Sequence, residues 1–285
     1  MSSNISRTRL TKSLKSLSLD KEDLKKILDI LQLRAKDASD IEYKKSDKLE
    51  ITEPNNLRAN LDTCAELKVT IKGSRNEELF GTIDEVFKFP SFPEKITSVY
   101  VNSRLIYESN FDHYPSNSFS LLIDFRKHKI LDFSFSPSER TYNESEFIVE
   151  GSDNMWVNGV YFEIDSFIKT KPSKFPNIHK GGIYDILIWF FGIPFGFWLC
   201  YRVILLKFSF FSAHPFIENL FLTYCFFVGL FFLRILFHYF RWVYPMIEYK
   251  NKRDRSLGHQ AAILSISIGL IGKVIYDFIR LVIGS

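Results

Sequence analysis

The chain has 285 residues, a formal net charge of +4 and a mean hydropathy of −0.03, values that by themselves fit a soluble protein of one or two domains. The charge is unevenly divided, because residues 1–182 carry 27 basic and 28 acidic side chains whereas residues 183–285 carry ten basic and five acidic ones. This division is a poor fit to a uniform soluble enzyme, a disordered chain or a nucleic-acid binder with a basic domain, and it indicates a membrane-anchored protein.

Residues 1–19 are basic and rich in serine, and they are predicted to be a flexible N-terminus. They lack the apolar run of a signal peptide, so this end of the chain is expected to stay in the cytosol. The chain has three cysteines, which is too few for a disulfide framework and fits a reducing compartment.

A helix is predicted from Asp20 to about Lys45, because apolar residues recur at helical spacing. The stripe consists of Leu24, Ile27, Leu28 and Leu31, and the cap is Ser18 or Asp20. One stripe does not decide whether this helix packs on its own domain or pairs with a second protomer. The polar stretch that follows predicts a linker, so that residues 20–62 form a helix plus linker.

Residues 63–170 are predicted to form a cytosolic β-rich domain, because the period changes from helical to alternating. Six segments are strand candidates: 66–73, 79–87, 96–108, 119–127, 130–138 and 146–151. The spacing predicts a small, mostly antiparallel sheet or partly open barrel of about six strands. The expected fold class is therefore α+β.

The clearest predicted strand pair joins 119–126 to 130–136 through the turn Lys127-His128-Lys129. After the last strand, Asp153 is placed to cap a helix whose apolar side includes Trp156 and Ile164. Asn158-Gly159 between two apolar runs is a hairpin signal that competes with this helix. Residues 171–182 are predicted to be a short tether.

Residues 183–240 are predicted to form a transmembrane hairpin of two helices. The first run, 183–206, and the second, 216–237, are each long enough to cross a bilayer and are flanked by aromatic residues. Basic residues are more numerous before the first run and after the second than in the turn near His214, which places both ends of the hairpin in the cytosol.

The first run contains Gly192, Pro194 and Gly196. The two glycines have the GxxxG spacing that permits close approach of another helix, and the proline permits a kink. Simple helix packing and a gating hinge are the two interpretations of this motif.

Residues 241–285 are predicted to be a basic juxtamembrane segment followed by a C-terminal helix. Basic residues at 250–255 are attracted to anionic lipid. In the stretch 261–285, Lys273, Asp277 and Arg280 fall on one helical face. Three interpretations stay open: an interfacial amphipathic helix, a third span with its charges toward partner helices, or a pore-lining helix of an oligomer.

No established catalytic or nucleotide-binding motif occurs in the chain, and its six histidines show no pair at ligand spacing, so neither an enzyme nor a metal or cofactor site is predicted. Asp124 and Asp132 flank the predicted 119–136 hairpin and are candidates for carboxylates that converge across strands, with solvated strand charges as the alternative. Ser138, Arg140 and Asn143 form a candidate ligand loop, with a plain surface turn as the alternative.

A β-rich cytosolic domain, the apolar segments IYDILIWFFGIPFGFWLCY and NLFLTYCFFVGLFFLRILF and a basic tail together resemble the membrane effectors of bacterial anti-phage systems, such as retron and cyclic-nucleotide-signalling systems. The resemblance lies in the order of parts and transfers no functional residue. It implies a multi-pass protein of the bacterial inner membrane with a cytoplasmic N-terminus.

The function expected from this resemblance is a non-enzymatic effector that perturbs the membrane as a homo-oligomer after its cytosolic domain senses a ligand or partner. The alternative is a constitutive membrane anchor or scaffold for a partner-binding β domain. The lipid bilayer is an expected partner in both cases, and nucleic acid is not.

Overall fold

A computed structural model describes residues 7–47, 54–111, 114–131, 138–205, 215–251, 256–266, 268, 269 and 273. The chain divides into two compact units. The sheet unit comprises residues 1–126, 143–173 and 247–254, and the helical unit comprises residues 127–142, 174–246 and 255–285. The chain therefore passes from one unit to the other five times, after residues 126, 142, 173, 246 and 254.

The sheet unit contains a six-stranded antiparallel sheet, which confirms the predicted α+β fold with an N-terminal helix. The strand order is β1-β7-β6-β5-β3-β4. The strands are β1 (Thr8–Ser13), β3 (Lys68–Gly73), β4 (Glu78–Thr82), β5 (Ile96–Asn102), β6 (Asn117–Asp124) and β7 (Glu146–Gly151). A separate parallel pair joins β2 (Leu17–Leu19) to β8 (Ile247–Tyr249).

The described residues of the sheet unit include the helices α1 (Lys21–Asp47), α2 (Pro54–Ala65), α3 (Ile83–Lys88), α4 (Arg104–Phe111) and α5 (Asn154–Lys169). α1 buries its predicted stripe completely and contacts α2, α5 and β6, while α5 contacts β1 and β7. The sheet contributes eight fully buried side chains to the core: Val69, Ile71, Val99, Val101, Leu121, Ile123, Phe147 and Val149. The strands thus alternate as predicted, with one face in the core.

The predicted hairpin between 119–126 and 130–136 is wrong. β6 pairs with β5 along one edge and with β7 along the other, so it has no edge left for a third strand. Ile130 and Leu131 are not in a strand, and residues 132–137 lie outside the described residues. Pairing with β5 and β7 satisfies both edges of β6. This stabilises the sheet more than the local hairpin gains from its shorter loop.

The predicted flexible N-terminus is also wrong, because β1 and β2 form within residues 1–19. β1 pairs along its whole length with β7. The predicted linker before residue 62 contains α2, which begins at Pro54, a residue suited to the first turn of a helix.

In two further segments, hydrogen bonds of an N-cap residue determine that the chain forms a helix. Thr82 and Glu85 form a reciprocal capping box at the start of α3, so the strand candidate 79–87 ends in a helix. The Asp153 side chain accepts hydrogen bonds from the backbone N–H groups of Met155 and Trp156, which confirms the predicted cap of α5. The competing hairpin at Asn158-Gly159 is therefore wrong.

The helical unit contains two long apolar helices. The first consists of α6 (Ile183–Leu187), a π-helical turn (Ile188–Gly192) and α7 (Ile193–Leu205); the second is α8 (Pro215–Val243). By length and composition, Ile183–Ile204 and Pro215–Val243 are able to cross a membrane. They correspond to the predicted runs 183–206 and 216–237.

The segments that flank the two apolar helices differ from the prediction. The predicted tether is not a simple linker, because it contains the 3₁₀ turn Pro176–His179 with a buried His179. The predicted basic segment after the second helix is replaced in part by the end of α8 and by β8. Residues 256–266 are helical, as are 268, 269 and 273.

Candidate functional site

The two apolar helices have an unusual surface, because their large hydrophobic side chains point outward. In the most apolar part of each helix only 17% and 11% of the residues are buried. Exposed side chains include Trp189, Phe190, Phe197, Phe227 and Phe232. A core helix of a soluble protein buries such residues, and an exposed apolar surface of this extent is typical of a membrane or protein interaction site.

The two helices pack against each other antiparallel along a seam of glycines. A Cβ atom at Gly192 would lie 2.8 Å from Leu233 Cδ2, and one at Gly196 would lie 2.6 Å from Phe226 Cδ2. One at Gly229 would lie 3.4 Å from Gly196 Cα. The structure therefore places α8 of the same chain against the GxxxG segment.

Pro194 is the second residue after the π-helical turn. The N–H of Ile193 donates to the carbonyl of Ile188, five residues earlier, and Pro194 has no N–H to continue an α-helical ladder. A wider turn of this kind accommodates the missing donor without breaking the helix. Pro194 thus lies next to a π-helical turn in the part of the first apolar helix that contains the glycine seam.

The C-terminal end of α8 carries polar side chains that are almost completely buried. Arg241 is 2% exposed and His238 is 1% exposed. The Arg241 guanidinium donates to the carbonyl of Ile178 at 3.0 Å and to the carbonyl of Glu139 at 3.1 Å, and it lies 4.4 Å from the Phe237 ring centre. Arg241 is the first residue of the segment predicted to be basic and juxtamembrane, and backbone carbonyls and an aromatic face enclose its side chain.

Two histidines meet beside this arginine. The Nε2 atom of His128 lies 2.7 Å from the Nδ1 atom of His238, with the ring centres 4.8 Å apart. One of these nitrogens donates and the other accepts, so a single proton occupies the contact. A second proton there would set two N–H groups against each other.

His179 completes what we term the histidine–arginine cluster: His128, His179, His238 and Arg241. Its Nε2 atom lies 2.7 Å from the carbonyl oxygen of Tyr244 and its Nδ1 atom lies 3.0 Å from Thr141 Oγ1. Burial, together with the nearby charges of Arg241 and His128, lowers the pKa of His179 to about 4, against the opposing effect of the Tyr244 carbonyl. His179 is therefore neutral at pH 7 and donates to that carbonyl.

The cluster was not foreseen from the sequence. His128 and His238 are separated by 110 residues, and neither belongs to a spaced motif. The one available signal is that His238 and Arg241 interrupt an apolar helix one turn apart, where ionisable residues are expensive. Among the described residues, no group of three or more His, Cys, Asp or Glu side chains is placed to hold a metal ion.

The residues of the candidate ligand loop are divided between the two units and have separate local contacts. Ser138 and Arg140 belong to the helical unit and Asn143 to the sheet unit. The Asn143 amide donates to the carbonyl of Asp124 and accepts from the backbone N–H of Ser145, so it fixes the start of β7. The Arg140 side chain is exposed, and the carbonyl of Ser138 accepts from the N–H of Gly182.

The remaining predicted residues are only partly described. Asp124 is buried and forms an ion pair with Arg126, while Asp132 lies outside the described residues. Lys273 is helical and exposed, whereas Asp277 and Arg280 lie outside the described residues. The polar membrane face therefore stays a prediction.

Among the described residues of the sheet unit, a cleft and a small cavity are able to hold a ligand. A cleft of about 530 Å³ lies beside the N-terminus of α1 and mixes aromatic, acidic and basic side chains, among them Lys21 and Phe92. A cavity of about 30 Å³ lies among α1, α2, α4 and the start of β6, and its lining includes Ser39, Cys64 and Asn117.

Comparisons of the chain with protein-family models, with curated proteins and with solved structures gave no match. Function is therefore inferred from the geometry of the two units.

Proposed function

We propose that this chain is an integral protein of the bacterial inner membrane and a non-enzymatic, membrane-perturbing effector of anti-phage defence. The apolar hairpin crosses the bilayer twice, the sheet unit is the cytosolic sensing or partner-binding domain, and oligomerised hairpins breach the membrane. The observation that carries the proposal is the outward-facing apolar surface of both helices.

Helix lengths support the membrane assignment. The first helix has 22 residues and the second has 29, which correspond to about 33 Å and 43 Å against a hydrocarbon core of about 30 Å. The second helix therefore exceeds the core by about two turns. His238 and Arg241 lie in its last two turns, where the helix leaves the hydrocarbon.

Leaving the apolar surface of the hairpin in contact with water would cost a large free energy. Burying one Phe, Leu or Ile side chain away from water stabilises a protein by about 1.5–3 kcal/mol, and the hairpin exposes more than ten such side chains. A lipid environment supplies this stabilisation without any further protein surface.

The histidine–arginine cluster favours an effector over a simple anchor. An anchor needs only apolar length, whereas buried ionisable groups at the end of a span are costly and are typical of functional positions. In addition, three residues separate the end of α8 from β8, which belongs to the sheet unit. A rearrangement of the sheet unit is thus transmitted directly along the chain to α8.

The test is induced expression of the full chain in bacteria, with a membrane-potential dye read before and after phage infection. Membrane extraction with alkaline carbonate first establishes that the protein is inserted. We expect depolarisation on strong induction or on infection, and weaker depolarisation for Arg241→Met than for Arg202→Met, an exposed arginine that serves as the matched control. An inserted protein that leaves the potential unchanged under both conditions contradicts the effector.

A constitutive anchor for a partner-binding sheet unit is the second candidate, and the glycine seam favours it. Gly192, Gly196 and Gly229 are all used for packing inside one chain. The surface that allows two helices to approach closely is therefore already used within one chain, without a second protomer. An anchor tolerates simultaneous Phe190→Leu, Phe197→Leu and Phe227→Leu changes on its outer surface, whereas an oligomeric effector loses depolarisation.

A further inference from the structure

The cavity in the sheet unit combines small and polar side chains. The small side chains of Ala35 and Ala38 on α1 leave room for the cavity, and Ser39 on the same helix adds a hydroxyl to the cavity wall. Cys64 of α2 and Asn117 at the start of β6 line it as well. At about 30 Å³ it has room for a water molecule or for a ligand of a few non-hydrogen atoms.

Two polar atoms of the cavity wall have no hydrogen-bond partner among the residues that the structure describes. They are Ser39 Oγ and Asn117 Nδ2, in side chains of residues that are 8% and 3% exposed. Leaving a buried donor or acceptor unpaired is costly, and folded proteins avoid it unless water or a ligand supplies the partner. Both atoms belong to residues of the same small cavity, so one occupant is able to satisfy both.

The orientation of the Asn117 amide is fixed by its other end. Its Oδ1 atom accepts a hydrogen bond from the backbone N–H of Asp153 at 3.2 Å, and Asp153 in turn caps α5. Gly151 is necessary for this arrangement, because a Cβ atom there would lie 2.1 Å from Asn117 Oδ1. With Oδ1 assigned to Asp153, the Nδ2 group is a donor that must be satisfied elsewhere.

The other polar groups of the wall restrict the charge of an occupant. The Glu42 side chain lines the cavity and accepts from the backbone N–H of Ser116, so a negative charge borders the site and disfavours an anion. The Asn117 N–H disfavours a cation. Cys64 accepts from the Asn110 amide at 3.1 Å, and burial raises the pKa of its thiol, which keeps it neutral.

We infer that this cavity is a binding site for a small uncharged ligand whose hydroxyl group accepts a hydrogen bond from Asn117 Nδ2 and shares one with Ser39 Oγ. A hydroxyl both donates and accepts, so it satisfies both atoms at once. Its role as the signal site of a sensing domain rests on the proposed function, whereas its binding chemistry does not.

The experiment uses the full chain in detergent micelles and methanol as the probe. Cys64 is a native reporter in the cavity wall, and its alkylation by iodoacetamide is followed by peptide mass spectrometry with Cys200 as the internal reference. Because a bound ligand suppresses local opening, we expect methanol to slow Cys64 alkylation at least threefold relative to Cys200. The Ser39→Ala variant should lose this protection, and xenon, an apolar probe, should give none.

Thermal unfolding provides a second readout with a defined sign. If an occupant binds the Ser39 hydroxyl, Ser39→Ala lowers the Tm, as does Ser145→Ala, a matched change at a buried serine that bonds to the Asp124 backbone. If the cavity is dry, removing an unpaired hydroxyl raises the Tm.

A raised Tm, equal protection by methanol in Ser39→Ala, or equal protection by xenon overturns the inference. A lowered Tm with no protection by methanol identifies a site for ordered water only and also overturns it. None of these readouts depends on the membrane potential, so their failure is distinguishable from failure of the effector proposal.

Discussion

Arg241 and His179 show how burial changes the meaning of a charged or titratable residue. In the sequence, Arg241 is one basic residue after an apolar run, and His179 is one of several polar residues between two prolines and two glycines. In the structure, the backbone carbonyls of Glu139 and Ile178 bind the arginine. These contacts depend on chain segments 63 and 102 residues away, so no local pattern reports them.

The low pKa of His179 predicts acid sensitivity of the helical unit. Its pKa is about 4 in the folded protein and near 6.5 when unfolded, so the unfolded state binds more protons between these values. The free energy of unfolding should stay constant above pH 6.5 and fall by about 3 kcal/mol as the pH decreases to 4. Thermal unfolding from pH 8 to pH 4, followed by tryptophan fluorescence, measures this.

The variant His179→Gln separates the contribution of His179 from that of the other titratable groups of the chain. The difference between wild type and His179→Gln should shrink as the pH falls below 6.5. His259→Gln is the control, since His259 is exposed. A difference that is constant across the whole pH range would show that His179 does not titrate as described.

At the level of elements, the sequence predicted those strands whose apolar residues alternate strongly. β3, β6 and β7 were predicted for this reason, and the α1 stripe and the Asp153 cap followed from equally local signals. β1 was missed because it is an edge strand, TRLTKS, with a single apolar residue, Leu10. The false hairpin arose because residues 130–136 alternate too, and alternation does not identify the partner strand.

The glycine seam predicts that the hairpin tolerates no side chain at Gly196. Gly196→Leu places its Cβ 2.6 Å from the Phe226 ring and forces α7 and α8 apart, which should cost about 1–3 kcal/mol. Chemical unfolding of the full chain in mild detergent measures the loss. Gly258→Leu is the matched control, because nothing lies within 4 Å of a Cβ there, and an equal loss in both variants would argue against the seam.

At the level of the whole molecule, the sequence predicted the two apolar helices but not how the units interleave. A single tether between a cytosolic domain and a membrane hairpin was expected, whereas the chain passes between the units five times. Composition detects the apolar helices because long uncharged runs differ clearly from the charged sequence around them. It does not detect the return of β8 to the sheet unit, because three residues carry no distinctive pattern.

The pairing of β2 with β8 restricts the proposed membrane topology. Both strands belong to the sheet unit, so if the hairpin spans a bilayer as proposed, the chain between them crosses it an even number of times. We predict that Arg75→Cys and Lys250→Cys are protected from a membrane-impermeant maleimide in intact cells and react after permeabilisation. Phe216→Cys, at the start of α8, should react in intact cells. Opposite labelling of positions 75 and 250 would contradict the two-span topology.

The β2–β8 pair also constrains the order of events during synthesis. Leu17 must wait for Ile247, which is translated 230 residues later. At about 5–20 residues per second, this delay lasts on the order of 10–45 s. Both apolar helices are synthesised within that interval, so the sheet unit completes its β2–β8 pair only after the whole hairpin has been translated. A chain that is cut short anywhere before residue 247 therefore leaves β2 without its partner strand.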